Sequence, residues 1–281
     1  ELFIELFSEE IPSKLQIDVR SKIKQTLEEK LKKKEINFKS SDSFSTPKRL
    51  VFLINGIPEQ IEQKGKTIKG PKVDAPEIAL KGFIESNNLN QSDVYKKKID
   101  KGTFYFAEKK AKNIDISKEL ELIIPETLQA YSWKKSMRWS DYDLNWGRPL
   151  RSITALFNKK LINFKFFHLK SNNLILVDGG DKEKIKKINS FETYLKILKL
   201  ENIILDQEIR KSVVIKKMNI ICNKRKLKNN FNEKLIEEVV NLVEKPNIIL
   251  CKFNEIYLKI PQEILIVTMQ HHQKYFPLFD S

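Results

Sequence analysis

Leu2-Phe-Ile-Glu-Leu-Phe7, turned by Ser8-Glu-Glu-Ile-Pro12 into a stretch with apolar residues at Leu15, Val19, Ile23, Leu27 and Leu31, decides the fold class. The first run is short, apolar and rich in Phe and Ile, which suits a buried strand. The second repeats its apolar residues every four positions, which predicts a helix over roughly 13–35 with one buried stripe. Outward from this strand–helix pair, Ser45-Thr-Pro-Lys-Arg49 leads into a strand at Leu50–Ile54. Residues 58–76 are polar and read as a loop, and Pro76 opens a helix near 76–86 with Leu80 and Phe83 on one side. A hairpin is expected around Lys101-Gly102, returning through Phe104-Tyr-Phe-Ala107.

Helix signals resume at Ile116–Tyr131, so a domain border is expected near 115–125. Strands follow at Ile153–Phe157 and Ile162–His168, joined by Asn158-Lys-Lys160. Residues 171–189, with Gly179-Gly180, are polar and weakly patterned. Helices are predicted at about 190–199, 206–223 and 233–244, the last stopped by Pro246. A buried strand is expected at Asn247–Phe253, and a final helix from Pro261 to His271-His272. Strands and helices are mixed without strict βαβ alternation, so the class is α+β.

The chain has 281 residues, 41% hydrophobic and 32% charged, enough for a folded core with a solvated surface. No apolar run approaches the roughly 20 residues that cross a bilayer. Glu1 stands where an initiator Met would, which predicts a natural start further upstream. Cys222 and Cys251 offer neither a metal spacing nor a disulfide framework, which points to a reducing cytoplasm. The net charge of +15 points to a polyanionic partner, nucleic acid before lipid. The wealth of Lys, Asn and Ile also fits AT-rich coding, a plainer source for the same charge. Against that background the seven arginines are informative: Arg20, Arg49, Arg138, Arg148, Arg151, Arg210 and Arg225. A retained Arg marks a place that needs a planar, bidentate fork.

Two segments could use those forks. Trp133-Lys-Lys-Ser-Met-Arg-Trp139 and Trp146-Gly-Arg-Pro-Leu-Arg151 hold all three tryptophans together with Arg138, Arg148 and Arg151. Arginines clamp phosphates and indoles stack on bases. The plainer reading, slightly favoured, packs the tryptophans into the core and pairs the arginines with carboxylates. The second segment, Arg210–Lys228, contains Arg210, Lys211, Lys216, Lys217, Lys224, Arg225, Lys226 and Lys228 and no acid. Such a run suits phosphate contacts without sequence readout; a solvated helix face explains it equally well. The adjacent pair His271-His272 points about 100° apart on a helix and does not make a metal site. The glycines form no phosphate-binding motif, and no nucleophile is paired with a base. No catalytic residue, cofactor or metal is expected in this chain.

Several ordered segments resemble the β-subunit family of bacterial glycyl-tRNA synthetases. They are Leu6-Phe-Ser-Glu-Glu-Ile-Pro12, Thr46-Pro-Lys-Arg-Leu50, Lys69-Gly-Pro71, Met137-Arg-Trp139 with Arg148-Pro149 and Arg151, Leu235-Ile-Glu-Glu-Val-Val-Asn-Leu-Val-Glu-Lys-Pro246, Leu258-Lys-Ile-Pro261, and Met269-Gln-His-His-Gln-Lys-Tyr-Phe-Pro277. Phe7 and Ser140 stand where the family usually has Gly. Residues 171–182 lack the expected Gly-His-Arg-Phe-type segment, so no role is carried onto them.

The resemblance implies a class II ligase of two α and two β subunits in the cytoplasm, with no membrane partner. The α subunit would hold the aminoacylation site and use glycine, ATP and Mg; the β subunit would bind tRNA(Gly). It also implies an N-terminal α+β domain at 1–120. An editing-domain-like unit would follow at 121–281, of the B3/4 type found in the phenylalanyl-tRNA synthetase β chain and incomplete at its C-terminal end. An HD-like helical domain and an anticodon-binding domain would follow Ser281. Glycyl-adenylate formation by this chain alone is not expected. The competing readings are an editing-type hydrolase of mischarged tRNA and a structural module that docks the α subunit.

Overall fold

The computed structural model describes the chain except for residues 64–65, 88, 100–101, 110–111, 179–182, 230 and 281. Its elements run β1 (Leu2–Ser8), α1 (Ser13–Lys33), β2 (Ser40–Ser45), β3 (Arg49–Asn55), β4 (Gln60–Gln63), β5 (Lys66–Lys72), α2 (Glu77–Ser86), β6 (Val94–Ile99), β7 (Gly102–Lys109), β8 (Lys112–Asp115) and α3 (Ile116–Ala130). They continue with β9 (Leu150–Phe157), β10 (Lys160–Leu161), β11 (Lys165–Phe166), β12 (Leu169–Asn172), β13 (Leu174–Asp178), β14 (Glu183–Lys187), α4 (Phe191–Leu200), α5 (Gln207–Arg225), β15 (Leu227–Asn229), α6 (Glu233–Val240), α7 (Gln262–Val267) and β16 (Leu278–Asp280). The class is α+β.

β1 is buried along its whole length because it is central. It pairs antiparallel with β3 on one side and β9 on the other, in a sheet ordered β11-β12-β9-β1-β3-β2, with β10 also on β9. A strand covered on both faces reads as a continuous apolar run. Phe3, Val51, Leu53 and Leu156 meet Ile175 and Val177 of β13, Ile188 just after β14, and Tyr194 and Leu198 of α4 in one core. α1 packs against β2 and β3, with Val19, Ile23, Leu27 and Leu31 buried. Lys30, Lys32 and Lys33 occupy its last turn, the negative end of the helix dipole. Side chains of Ser190, Asp206 and Asn232 cap α4, α5 and α6 by accepting from the first free N–H groups. Val214 and Met218 of α5 pack on Ile236 and Val240 of α6 in a smaller core.

The chain forms two compact units, one from residues 1–57 with 120–281 and one from 58–119. This differs from the expected split into 1–120 and 121–281, because β1 and β3 share their sheet with β9. The second unit contains the β4–β8 pair and a three-stranded antiparallel sheet ordered β5-β7-β6, with α2 against β5.

Several expected elements are corrected. Residues 58–76 are not a loop but hold β4 and β5, whose polar side chains conceal the strand pattern. Ile162–His168 is not one strand: positive φ at Phe167 breaks it, leaving the two-residue β11. Residues 171–189 contain β12 and the β13–β14 hairpin; the Gly179-Gly180 pair lies outside the described residues. The β6–β7 hairpin is present, with Lys101 outside the described residues and Gly102 at φ +118°. α6 ends at Val240, and 247–253 has no strand despite its apolar residues.

Candidate nucleic-acid interface

The Trp/Arg segment is built on a bridge between Met137 and Trp146, whose N–H and C=O groups bond in both directions. Trp146 is 1% exposed and meets Trp133 and Phe166 edge to face, at 5.0 and 5.8 Å. Trp133 lies so close to the chain that a Cβ at Gly147 would stand 2.2 Å from its ring, so only glycine fits. Trp146 is core, as the plainer reading held for it, while Trp133 is half-buried against it. Trp139 belongs to a separate aromatic group. It is half-buried and meets His168 edge to face at 6.0 Å, while Tyr142 stacks on His168 at 3.6 Å and 7°. Burial lowers the pKa of the His168 imidazole.

The arginines of this segment are engaged but not enclosed. Arg138 is exposed, donates from Nε to the Tyr142 carbonyl at 2.7 Å, and pairs with Asp143 at 3.2 Å. Arg148 is half-buried and donates to the Gly147 carbonyl at 2.9 Å. Arg151 pairs with Glu9 at 3.3 Å. Exposed pairs of this kind are worth about 0–1 kcal/mol, so a phosphate can displace them.

α5 divides its basic residues. Arg210, expected at an RNA surface, is fully buried. Its Nε donates to the Val240 carbonyl at 2.8 Å. Nη1 donates to Ile204 and Leu205 at 2.7 and 3.0 Å, and Nη2 to Ser45 at 2.9 Å. Burial without an ion-paired carboxylate pulls its pKa down to about 10, which leaves it cationic at neutral pH. The fork is used, but on main-chain carbonyls. Lys211 bonds Glu233 and lies 3.8 Å from Glu237, so its charge is also compensated. Lys224, Arg225, Lys226 and Lys228 are exposed, and none forms an ion pair among the described residues. They occupy the end of α5, the αL residue that terminates it (Lys226, φ 53°), and β15. This short run presents uncompensated positive charge to solvent.

A cluster that sequence reasoning missed lies beneath the central sheet. Glu5, inside an otherwise apolar strand, accepts from Arg49 Nη1 at 2.9 Å and from the Tyr194 hydroxyl at 2.5 Å. Arg49 also donates to the Leu176 carbonyl at 2.6 Å, lies 3.2 Å from Glu244, and covers the Phe7 ring at 4.8 Å. Thr46 bonds the same Glu244. Burial pushes Glu5 above its ordinary pKa even though Arg49 and Tyr194 favour its charge. A lone Glu in Leu2–Phe7, and Arg49 as one of few arginines, were the available signals. The cluster joins Thr46-Pro-Lys-Arg49 to Glu244 and is built for cohesion. Among the described residues, no group of three or more His, Cys, Asp or Glu side chains could hold a metal ion, and no helix is long and apolar enough to cross a membrane.

A family model described as glycyl-tRNA synthetase beta subunit matches residues 2–281. The glycine--tRNA ligase beta subunit of Rickettsia typhi is 36% identical over 281 residues, and that of Rickettsia felis 35% over 284. That of Rickettsia prowazekii is 34% identical over 281. Each match covers 100% of this chain and 42% of the relative, so the chain spans less than half the length of these relatives.

Proposed function

Because the chain belongs to the glycyl-tRNA synthetase beta subunit family, we propose that it takes part in charging tRNA(Gly) with glycine by binding and positioning the tRNA. In this reading the ligase is a cytoplasmic class II enzyme of two α and two β subunits. The α subunit carries the aminoacylation site and uses ATP and Mg, and this chain contributes no catalytic residue. An editing-domain-like shape that holds RNA without hydrolysing its ester belongs to the same proposal, carried by the larger unit, whose sheet takes β1 and β3 from residues 1–57.

The observation that carries the reading is the exposed run Lys224, Arg225, Lys226 and Lys228, without an ion pair among the described residues. Each phosphate it neutralises releases counterions, and log affinity falls with log salt by about 0.7–0.9 per contact. Changing all four to Ala is expected to flatten the salt dependence of tRNA(Gly) binding in a filter assay. An unchanged slope would reduce the run to a solvated face.

A second reading, docking of an α subunit, draws on Ile249, Phe253, Ile256, Leu258, Ile264 and Tyr275, all exposed in the stretch after α6. Exposed apolar clusters mark interaction surfaces. Ile256→Asp with Leu258→Asp should then lose α-subunit association while retaining tRNA binding.

A further inference from the structure

On one face of the β5-β7-β6 sheet, α2 packs against β5. Gly70 turns to that face, where a Cβ would stand 2.9 Å from the Phe83 ring. The opposite face gathers more rings and cations than this one, where Lys96 lies 5.9 Å over the Tyr105 ring. In-register partners share a face, and the register sets Tyr95 opposite Phe106, Lys97 opposite Phe104, and Lys69 opposite Phe106. A bulge between Lys69 and Lys72 then places Lys72 opposite Phe104, so both lysines stay with the phenylalanines.

The result is an alternation of rings and cations. Tyr95 stacks on Phe106 at 6.2 Å. The Lys69 ammonium lies 3.7 Å from the Phe104 centroid, with Lys72 at 5.8 Å, and Lys97 lies 5.8 Å from Phe106. Lys69, Lys72, Lys97 and Tyr95 are exposed, and Phe104 and Phe106 are half-buried. Glu108, which accepts from the Tyr95 hydroxyl at 3.4 Å, is the one acid on this face among the described strand residues.

We infer that this face binds an unpaired stretch of RNA, its bases on Tyr95, Phe104 and Phe106 and its phosphates on Lys69, Lys72 and Lys97. The inference rests on the reading of the chain as a tRNA handler and adds the place where single-stranded nucleotides lie. Aromatic rings on a sheet, flanked by cations, accept any base face and track a backbone. An apolar protein partner fits less well, because docking it would strip water from three lysines with one acid to compensate. Paired RNA fits less well too, since its bases are already stacked.

The test uses the full 281-residue chain, a fluorescein-labelled oligouridylate, and unlabelled tRNA(Gly). Tyr95→Ala should weaken oligouridylate binding about 5- to 150-fold, the range for loss of one stacking platform. Tyr95→Phe should keep it, which separates the ring from the hydroxyl bond to Glu108. Lys69→Ala with Lys97→Ala should lower the salt slope by about 0.7 per site. Near-native binding by Tyr95→Ala and by the double lysine variant overturns the inference. So does a wild-type chain that binds tRNA but no oligouridylate, and there the tRNA reading itself survives. Failure of the wild type to bind either RNA removes both. If Tyr95→Ala loses only α-subunit association, the face is a protein contact and the inference is wrong.

Discussion

Near the start of α5, Arg210 gives its guanidinium to four main-chain carbonyls, while at the far end Lys224, Arg225 and Lys226 are exposed and form no ion pair among the described residues. Both ends belong to one basic stretch without an acid. The start is roofed by Ser45, Leu205 and Val240, so its cation must satisfy buried acceptors. The end runs past the α5–α6 core, and its charge remains available to a polyanion. Position along a helix relative to the core, not charge density, separates a cation that holds the fold from one that can bind a partner.

That contrast can be broken by mutation, beginning with the largest effect. Arg49→Ala extends the buried case: it leaves Glu5 enclosed without its cation, and removing one partner of a buried pair costs about 3–5 kcal/mol. A urea midpoint near that of the wild type would show that the cluster is not cohesive. Arg210→Lys keeps the charge but replaces the fork with one nitrogen, so carbonyls lose donors; about 1–3 kcal/mol of stability should go. A neutral result would place Arg210 with the solvated residues. The Lys224, Arg225, Lys226 and Lys228 quadruple alanine variant should stay within about 0.5 kcal/mol per site. A large loss in the same urea series would mean that the exposed end is also structural.

The smallest expected effect concerns His168. Burial lowers its pKa, so between the folded value and the ordinary value of about 6.5 the folded chain binds fewer protons than the unfolded chain. Its contribution to stability is therefore present above about pH 6.5 and falls as pH drops through that window. An imidazole titration followed by NMR that finds the ordinary value or a higher one would contradict this.

Much of the fold is legible in the sequence where one side of an element is apolar and the other is not. The α1 stripe and the wholly apolar β1 are such cases. β2, Ser40-Ser-Asp-Ser-Phe-Ser45, gives no such signal: it is an edge strand that exists because β3 offers it an open ladder. β4 and β5 are hidden for the same reason, since their partners lie far along the chain. Asn247–Phe253 fails in the opposite sense, apolar without a sheet to join. At the site, scarcity of Arg correctly marked forks at Arg49 and Arg210, but not their acceptors. A guanidinium binds a carbonyl or carboxylate as readily as a phosphate, and which one it meets is decided by tertiary contact.

The discontinuity of the larger unit has a consequence for the order of synthesis. On a ribosome adding about 5–20 residues per second, residues 58–119 emerge with all strand partners of their sheets already at hand. Glu5 and Arg49 emerge earlier, yet β9, Tyr194 and Glu244 arrive only after a further roughly 100–200 residues, a delay of about 5–40 s. During that interval β1 is an apolar strand with one open edge. The nascent chain must therefore shelter Leu2–Ser8 from other sheets until its own last partners have been translated.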